Sequence, residues 1–115
     1  MASTQIKKFT ASHKFARIAP RKARLVADQI RGKGIEDALA TLEFSSRRGA
    51  WFIKSVLRSA IANAEEANLD VGRLFVSESR VDEGPTIKRF QPKDRGRSHP
   101  IMKRTSHIIV AVDIK

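Results

Sequence analysis

Three histidines (His13, His99, His107) and two pairs of adjacent acids (Glu65-Glu66, Asp82-Glu83) are the side chains here with acid–base or metal chemistry to offer. Their spacing offers little. The histidines fall at no metal-ligand interval, and each reads as a surface or phosphate-contacting residue. Adjacent acids point to different faces, and neither pair has an evident partner base. Cysteine is absent, which removes disulfides, thiolate metal sites and thiol nucleophiles. Gly32-Lys33-Gly34 is far too short to cradle a nucleotide phosphate. No catalytic residue, metal or cofactor is expected.

The chemistry this sequence does carry is cationic, and two segments hold it. The first is Arg17-Ile18-Ala19-Pro20-Arg21-Lys22-Ala23-Arg24, with Lys14 just before it. Pro20 marks a helix start, which puts Arg21, Lys22 and Arg24 in a first turn whose dipole disfavours cations by about 0.3–1 kcal/mol each. Exposed charges at a helix end can simply be tolerated. The functional alternative is that helix N–H groups and these side chains together grip phosphate. Conflict with local folding preference is where function is expected.

The second segment is Gly84-Pro85-Thr86-Ile87-Lys88-Arg89-Phe90-Gln91-Pro92-Lys93-Asp94-Arg95-Gly96-Arg97, followed by Lys103 and Arg104. Pro85, Pro92 and Pro100 cannot donate ladder hydrogen bonds, so this is not central sheet. Ile87 and Phe90 sit among cations with no periodic apolar face behind them, a mixture suited to base stacking and insertion between nucleotides. Arg95-Gly96-Arg97 sets two guanidinium forks around a residue that allows close backbone approach.

Overall charge supports the same chemistry. Twenty-three Lys and Arg face twelve Asp and Glu, a net +11. Residues 1–27 carry seven cations and no acid, residues 28–79 net to −1, residues 80–104 net to +5, and the rest is neutral. A merely solvated surface intersperses its signs. Two basic segments around a balanced middle imply a polyanionic partner, with nucleic acid favoured over an anionic membrane surface. The longest apolar stretch, residues 50–64, is interrupted by Lys54 and Arg58 and is no membrane span. The acid-free N-terminus also has the look of an organelle transit peptide. It runs unbroken into the pattern of Ala23, Val26 and Ile30, however, so removing it would remove core residues.

The elements that must position these segments fit one domain of 115 residues. Folding such a chain buries roughly 65% of its unfolded surface, enough for one modest core. Residues 5–18 read as a strand on Ile6, Phe9, Thr10, Phe15 and Ile18. Ala23, Val26, Ala27 and Ile30 make the stripe of a first helix ended by Gly32 and Gly34. Ile35, Ala38, Leu39 and Leu42 make a second, about 35–44, with Glu36 and Asp37 suiting its positive end. A third, 47–67, carries Ala50, Ile53, Val56, Leu57, Ala60, Ile61 and Ala64, with Ser45 or Ser46 as its cap and Asn68 at its end. Trp51 and Phe52 adjoin that stripe and are assigned to the core. Residues 74–81 and 107–114 read as strands. On the latter, Ile108, Val110, Val112 and Ile114 share one face, with Ile109 and Ala111 on the other. The roughly 25 residues between them are too many for a structureless loop in a compact domain. They form either a disordered basic loop or a projecting hairpin, each arm reaching on the order of 33 Å.

The string Val81-Asp82-Glu83-Gly84-Pro85-Thr86-Ile87-Lys88-Arg89-Phe90, continuing through Gly96-Arg97 to Lys103-Arg104-Thr105-Ser106-His107-Ile108, resembles the signature region of the large-subunit ribosomal protein L-twenty-two family, bacterial type. Pro20-Arg21-Lys22-Ala23-Arg24-Leu25-Val26-Ala27 and Ser59-Ala60-Ile61-Ala62-Asn63-Ala64-Glu65 resemble its helices in the same order. The resemblance implies an α+β fold: three helices packed on a small antiparallel sheet, with a long protruding β-hairpin. It implies a single domain, 1–115, with its body at about 1–80 and 105–115 and its hairpin at about 81–104. The implied function is that of a structural constituent that binds large-subunit RNA, supports subunit assembly, and lines the nascent-peptide exit tunnel with its hairpin.

By matching position, the tip falls within 88–97, and its tunnel-lining residues are Lys88, Arg89, Phe90, Gln91, Pro92 and Lys93. The candidate RNA-binding cations are Lys14, Arg17, Arg21, Lys22 and Arg24 on the body, Lys88, Arg89, Lys93, Arg95 and Arg97 on the hairpin, and Lys103 and Arg104 at its return. Implied partners are ribosomal RNA, neighbouring large-subunit proteins and the nascent peptide, with no membrane and no small-molecule substrate. The implied location is a cytoplasmic ribosome of bacterial type, or an organelle one. Three positions depart from the family pattern: Ala19 where a capping Ser is common, Lys93-Asp94 where Arg and a small residue are usual, and His99-Pro100 in the returning arm. The rival functions are an independent DNA- or RNA-binding module and a basic enzyme acting on nucleic acid. The enzyme lacks an acid–base pair.

Overall fold

Pro20 suits a first helical position, where its fixed φ is helical and its missing N–H has no intrahelical acceptor to lose. In the computed structural model, which describes residues 9–93 and 97–114, helix α1 starts there and spans Pro20–Ile30. The expected stripe of Ala23, Val26, Ala27 and Ile30 is buried, and the chain leaves the helix through Gly32 at φ +82°. Helix α2 (Ile35–Phe44) buries Ile35, Ala38 and Leu42 and rests Leu39 against the edge of the core. Its first turn carries Glu36 and Asp37. Helix α3 (Arg48–Glu66) buries its whole expected stripe. It closes on Asn68 at φ +62°, with the N–H groups of Asn68 and Leu69 donating to Glu65 O (2.9 Å) and Ala64 O (3.2 Å). Those two bonds make a Schellman turn.

Two expectations for α3 are corrected. The residue before its first turn is Arg47, with no side-chain cap, so neither Ser45 nor Ser46 caps it. Ser45 Oγ accepts the Arg47 N–H at 3.3 Å, ahead of the helix. Trp51 is not core either: Phe52 is 8% exposed, but Trp51 is 69% exposed. A helix turns 100° per residue, which swings Phe52 toward the buried arc of Ile53 and Val56. Trp51 falls on the opposite side with Lys54 and Arg58.

The helices cover one face of a three-stranded antiparallel sheet in the order β1-β5-β2, formed by β1 (Phe9–Ala16), β2 (Leu74–Glu83) and β5 (Ser106–Ile114). The strand expected over 5–18 is present as β1, and residues 5–8 lie outside the described residues. From the central strand, Ile108, Val110 and Val112 enter the core. Both edge strands carry irregularities that change which side chains face inward. In β2 the register slips between Val76 and Glu78, so Leu74 and Val76 are buried before the slip and Ser79 and Val81 after it. In β1 it slips between His13 and Ala16, with Phe15 at φ +61°. An inserted residue is what moves the two-residue period from one parity to the other.

The basic run between β2 and β5 is a hairpin. Strands β3 (Ile87–Lys93) and β4 (Arg97–Lys103) pair antiparallel from Ile87↔Lys103 to Lys93↔Arg97. Each strand of a two-stranded ribbon keeps an open edge, which is where Pro92 and Pro100 can sit without losing a ladder bond. The two strands make their substantial contacts with each other. The Cα radius of gyration is 17.6 Å, against about 13 Å for a compact chain of this length. The fold is α+β, three helices on a small antiparallel sheet with a long hairpin.

Candidate nucleic-acid interface

Two helix N-termini converge where the hairpin joins the sheet. Neither α1 nor α3 has an acid in its first turn or a side-chain cap, so both ends keep their partial positive charge. Gly49 lets them approach. A Cβ there would lie 3.3 Å from Ile18 Cδ1 and 3.5 Å from Ala23 Cα. The hairpin root is tied to the same corner. Buried Ser106 Oγ donates to Ile18 O at 2.6 Å, Gly84 N–H donates to Thr105 O at 3.0 Å, and Thr105 Oγ1 donates to Pro85 O at 2.6 Å.

This corner encloses an open concavity of about 770 Å³, lined by Arg17, Ile18, Ala19, Lys22, Leu25, Arg47, Arg48, Gly49, Lys103 and Arg104. Six of the ten are cations and none is an acid. None of the six forms an ion pair among the described residues; the pairs seen lie elsewhere, at Arg31–Asp28, Lys54–Glu43, and Arg80 with Glu78 and Asp82. A smaller hollow of about 200 Å³, lined by Pro20, Glu83, Gly84, Thr86, Arg104 and Thr105, shares Arg104 and leads toward the hairpin. Like charges so gathered repel one another until an anion neutralises them. Guanidinium forks beside uncapped helix N–H groups are suited to phosphate oxygens.

Of the residues singled out from sequence, Arg17, Lys22, Lys103 and Arg104 come together in the concavity. Lys14 and Arg21 are exposed but do not line it. Arg24 is the fifth residue of α1, beyond the first turn, and its Nε donates to Val81 O at 3.1 Å. Lys88, Arg89, Phe90, Gln91, Pro92 and Lys93 belong to the outgoing arm β3, and Arg97 opens β4. Lys93↔Arg97 is the last pair of the hairpin among the described residues, and Arg95 lies outside them. Sequence reasoning missed Arg47 and Arg48. Their signal was the one that marked Arg21 and Lys22: adjacent cations at an acid-free helix start.

His13 and His107 take structural parts. His107 Nδ1 accepts the Phe15 N–H at 3.1 Å, and His13 stands edge-on to Phe52 with ring centroids 5.5 Å apart. Among the described residues no three His, Cys, Asp or Glu gather as a metal site. No described helix is long and apolar enough to cross a membrane.

The family described as Ribosomal protein L22p/L17e matches residues 11–113. The Large ribosomal subunit protein uL22 of Ligilactobacillus salivarius (strain UCC118) is 53% identical over 112 residues, covering 96% of this chain and 97% of that protein. The protein of the same name from Lacticaseibacillus casei (strain BL23) is 54% identical over 112 residues, 96% of each chain. That of Lactobacillus helveticus (strain DPC 4571) is 53% identical over the same length. A match across the hairpin, all three helices and the sheet is one of whole architecture, and the chain belongs to the Ribosomal protein L22p/L17e family.

Proposed function

We propose that this chain is a structural, non-enzymatic constituent of the large ribosomal subunit, acting in translation by holding ribosomal RNA. The body grips RNA at the basic concavity, and the hairpin extends inward to line the path of the nascent peptide. The observation that carries this reading is the concavity itself: six cations, no acid and two uncapped helix ends around one opening. Phosphate neutralisation supplies affinity there, because each cation that meets a phosphate releases a condensed counterion. Arg17, Lys22, Lys103 and Arg104 act in the concavity, with Arg47 and Arg48 beside them. Lys14, Arg21 and Arg24 extend the contact over the body, and Lys88, Arg89, Lys93, Arg95 and Arg97 carry it along the hairpin. The single domain thus divides its labour, with the body anchoring and the hairpin reaching. Its partners are large-subunit RNA, neighbouring ribosomal proteins and the nascent peptide, in a bacterial-type ribosome of the cytoplasm.

Deleting residues 88–97 tests that division. The deletion takes five cations and one acid but no residue of the helical core. The truncated protein is expected to enter large subunits and to change the chemical reactivity of tunnel nucleotides. Identical tunnel patterns with full-length and truncated protein would remove the tunnel-lining role. Failure of the full-length chain to footprint on protein-free large-subunit RNA would remove the binding role.

A further inference from the structure

An exposed tryptophan needs an explanation when the chain around it holds it ready. Trp51 is the only tryptophan of the chain and is 69% exposed. With Lys54, Ser55 and Arg58 it lines a shallow hollow of about 240 Å³ on the outer side of α3. These four fall at i, i+3, i+4 and i+7, one continuous strip of helix surface.

The indole is braced from behind. Phe52 meets it edge-on, with centroids 5.0 Å apart and planes at 77°. Phe52 is itself buried, and the Arg48 guanidinium lies 5.5 Å from its ring centroid. Arg48 also lines the basic concavity, so the indole borders the phosphate-binding surface through two contacts. Glu43 is the acid nearby. It is ion-paired with Lys54, and its carboxyl is held below the usual carboxylate range by the Lys54 hydrogen bond and charge, with Arg58 adding to the effect. Lys54, Arg58 and Glu43 together leave the strip one unit positive. Arg58 forms no hydrogen bond among the described residues.

We infer that Trp51 is a stacking platform for an unpaired base of the RNA whose backbone occupies the basic concavity. This rests on the reading that the chain binds large-subunit RNA, and it identifies the kind of RNA element bound: a loop or bulge with a base turned out. Structured RNA is recognised at such bases by stacking on aromatic side chains while cations hold the flanking phosphates. The hollow supplies both parts. An apolar protein partner would find Lys54 and Arg58 flanking the ring, which favours a nucleotide as the occupant.

The chain has no tyrosine, so red-edge excitation reads Trp51 alone. Titrating full-length protein with protein-free large-subunit RNA should quench Trp51 emission and shield it from acrylamide. A base-free polyanion, polyphosphate, should occupy the cations without comparable quenching. Trp51→Ala should weaken RNA binding about 5- to 150-fold with an unchanged melting curve, and Trp51→Phe should recover most of the loss. RNA binding without quenching, equal quenching by polyphosphate, or full affinity in Trp51→Ala would overturn the stacking inference and leave RNA binding intact. Absence of RNA binding by the full chain would overturn both.

Discussion

The Arg24 Nε donates to the backbone carbonyl of Val81 across 3.1 Å, fixing the helix that carries Lys22 to the strand that leads into the hairpin. A second tie runs parallel to it, from Arg31 Nε and Nη2 to Ser79 O at 3.2 and 2.6 Å. Lys22 and Arg24, two residues apart, therefore differ in placement: Lys22 lines the concavity and Arg24 holds the strand. Arg24→Ala should lower unfolding free energy by about 1–3 kcal/mol, the range for losing a charge-assisted bond to a partly buried carbonyl. Lys22→Ala should change it by no more than about 0.5 kcal/mol while weakening RNA binding. Denaturant unfolding and filter binding of the two variants decide the matter. A loss of no more than about 0.5 kcal/mol in Arg24→Ala would mean that Arg24 holds nothing.

Salt dependence measures how many phosphates are neutralised. For about six contacts, the log–log slope of RNA affinity against salt should be near −4 to −5. Replacing both Arg47 and Arg48 by Ala should reduce its magnitude by about 1–2. A parent slope shallower than about −2 would show that phosphate neutralisation is not the main source of affinity.

Core and hairpin should respond differently to truncation of single side chains. Leu57 is fully buried in α3, and Leu57→Ala should cost about 2–5 kcal/mol through lost packing and a residual cavity. Arg89 belongs to β3, whose substantial contacts are with β4, so Arg89→Ala should leave the melting temperature of the free protein nearly unchanged. Comparable losses in the two variants would refute the division into body and projection.

Gly84 sits at the neck of the hairpin, where a Cβ would come 2.5 Å from Thr105 Oγ1 and 3.3 Å from the Thr105 carbonyl carbon. Thr105 is buried and its hydroxyl is engaged with Pro85 O, so it has little room to give. Gly84→Ala should cost about 1–3 kcal/mol by overpacking. Hydrogen exchange at the Gly84 amide, which donates to Thr105 O, should quicken with it. Adding Thr105→Ala should restore part of the loss. Unaltered exchange at this amide in Gly84→Ala would show that the neck accommodates the methyl group.

Local pattern made much of this fold legible. Pro20 at a helix start, two glycines after it, and apolar residues at three- and four-residue intervals are local signals, and α1, α2 and α3 lie within a residue of where those signals put them. Period-two alternation likewise located β5. Parity changes within the edge strands were not legible. Val76 and Ser79 face the same core only because a residue is inserted between them, and an insertion is defined by the partner strand.

The sequence by itself determined that this protein is a basic α+β chain of its family, because charge, period and signature strings are properties of the chain. Only the tertiary structure decided which cations lie together. Arg47 and Arg48 are some thirty residues from Arg17 and more than fifty from Lys103 in sequence, yet they share one concavity because α1 and α3 pack closely through Gly49. Tertiary structure also took Trp51 out of the core, since an aromatic beside an apolar stripe lies inside or outside according to its angle around the helix and the neighbours packed there. Arg24 turned inward to a carbonyl for the same reason: a strand 57 residues distant in sequence offered an acceptor at 3.1 Å. Folding sets the distances between residues far apart in the chain, and both electrostatics and stacking depend on those distances.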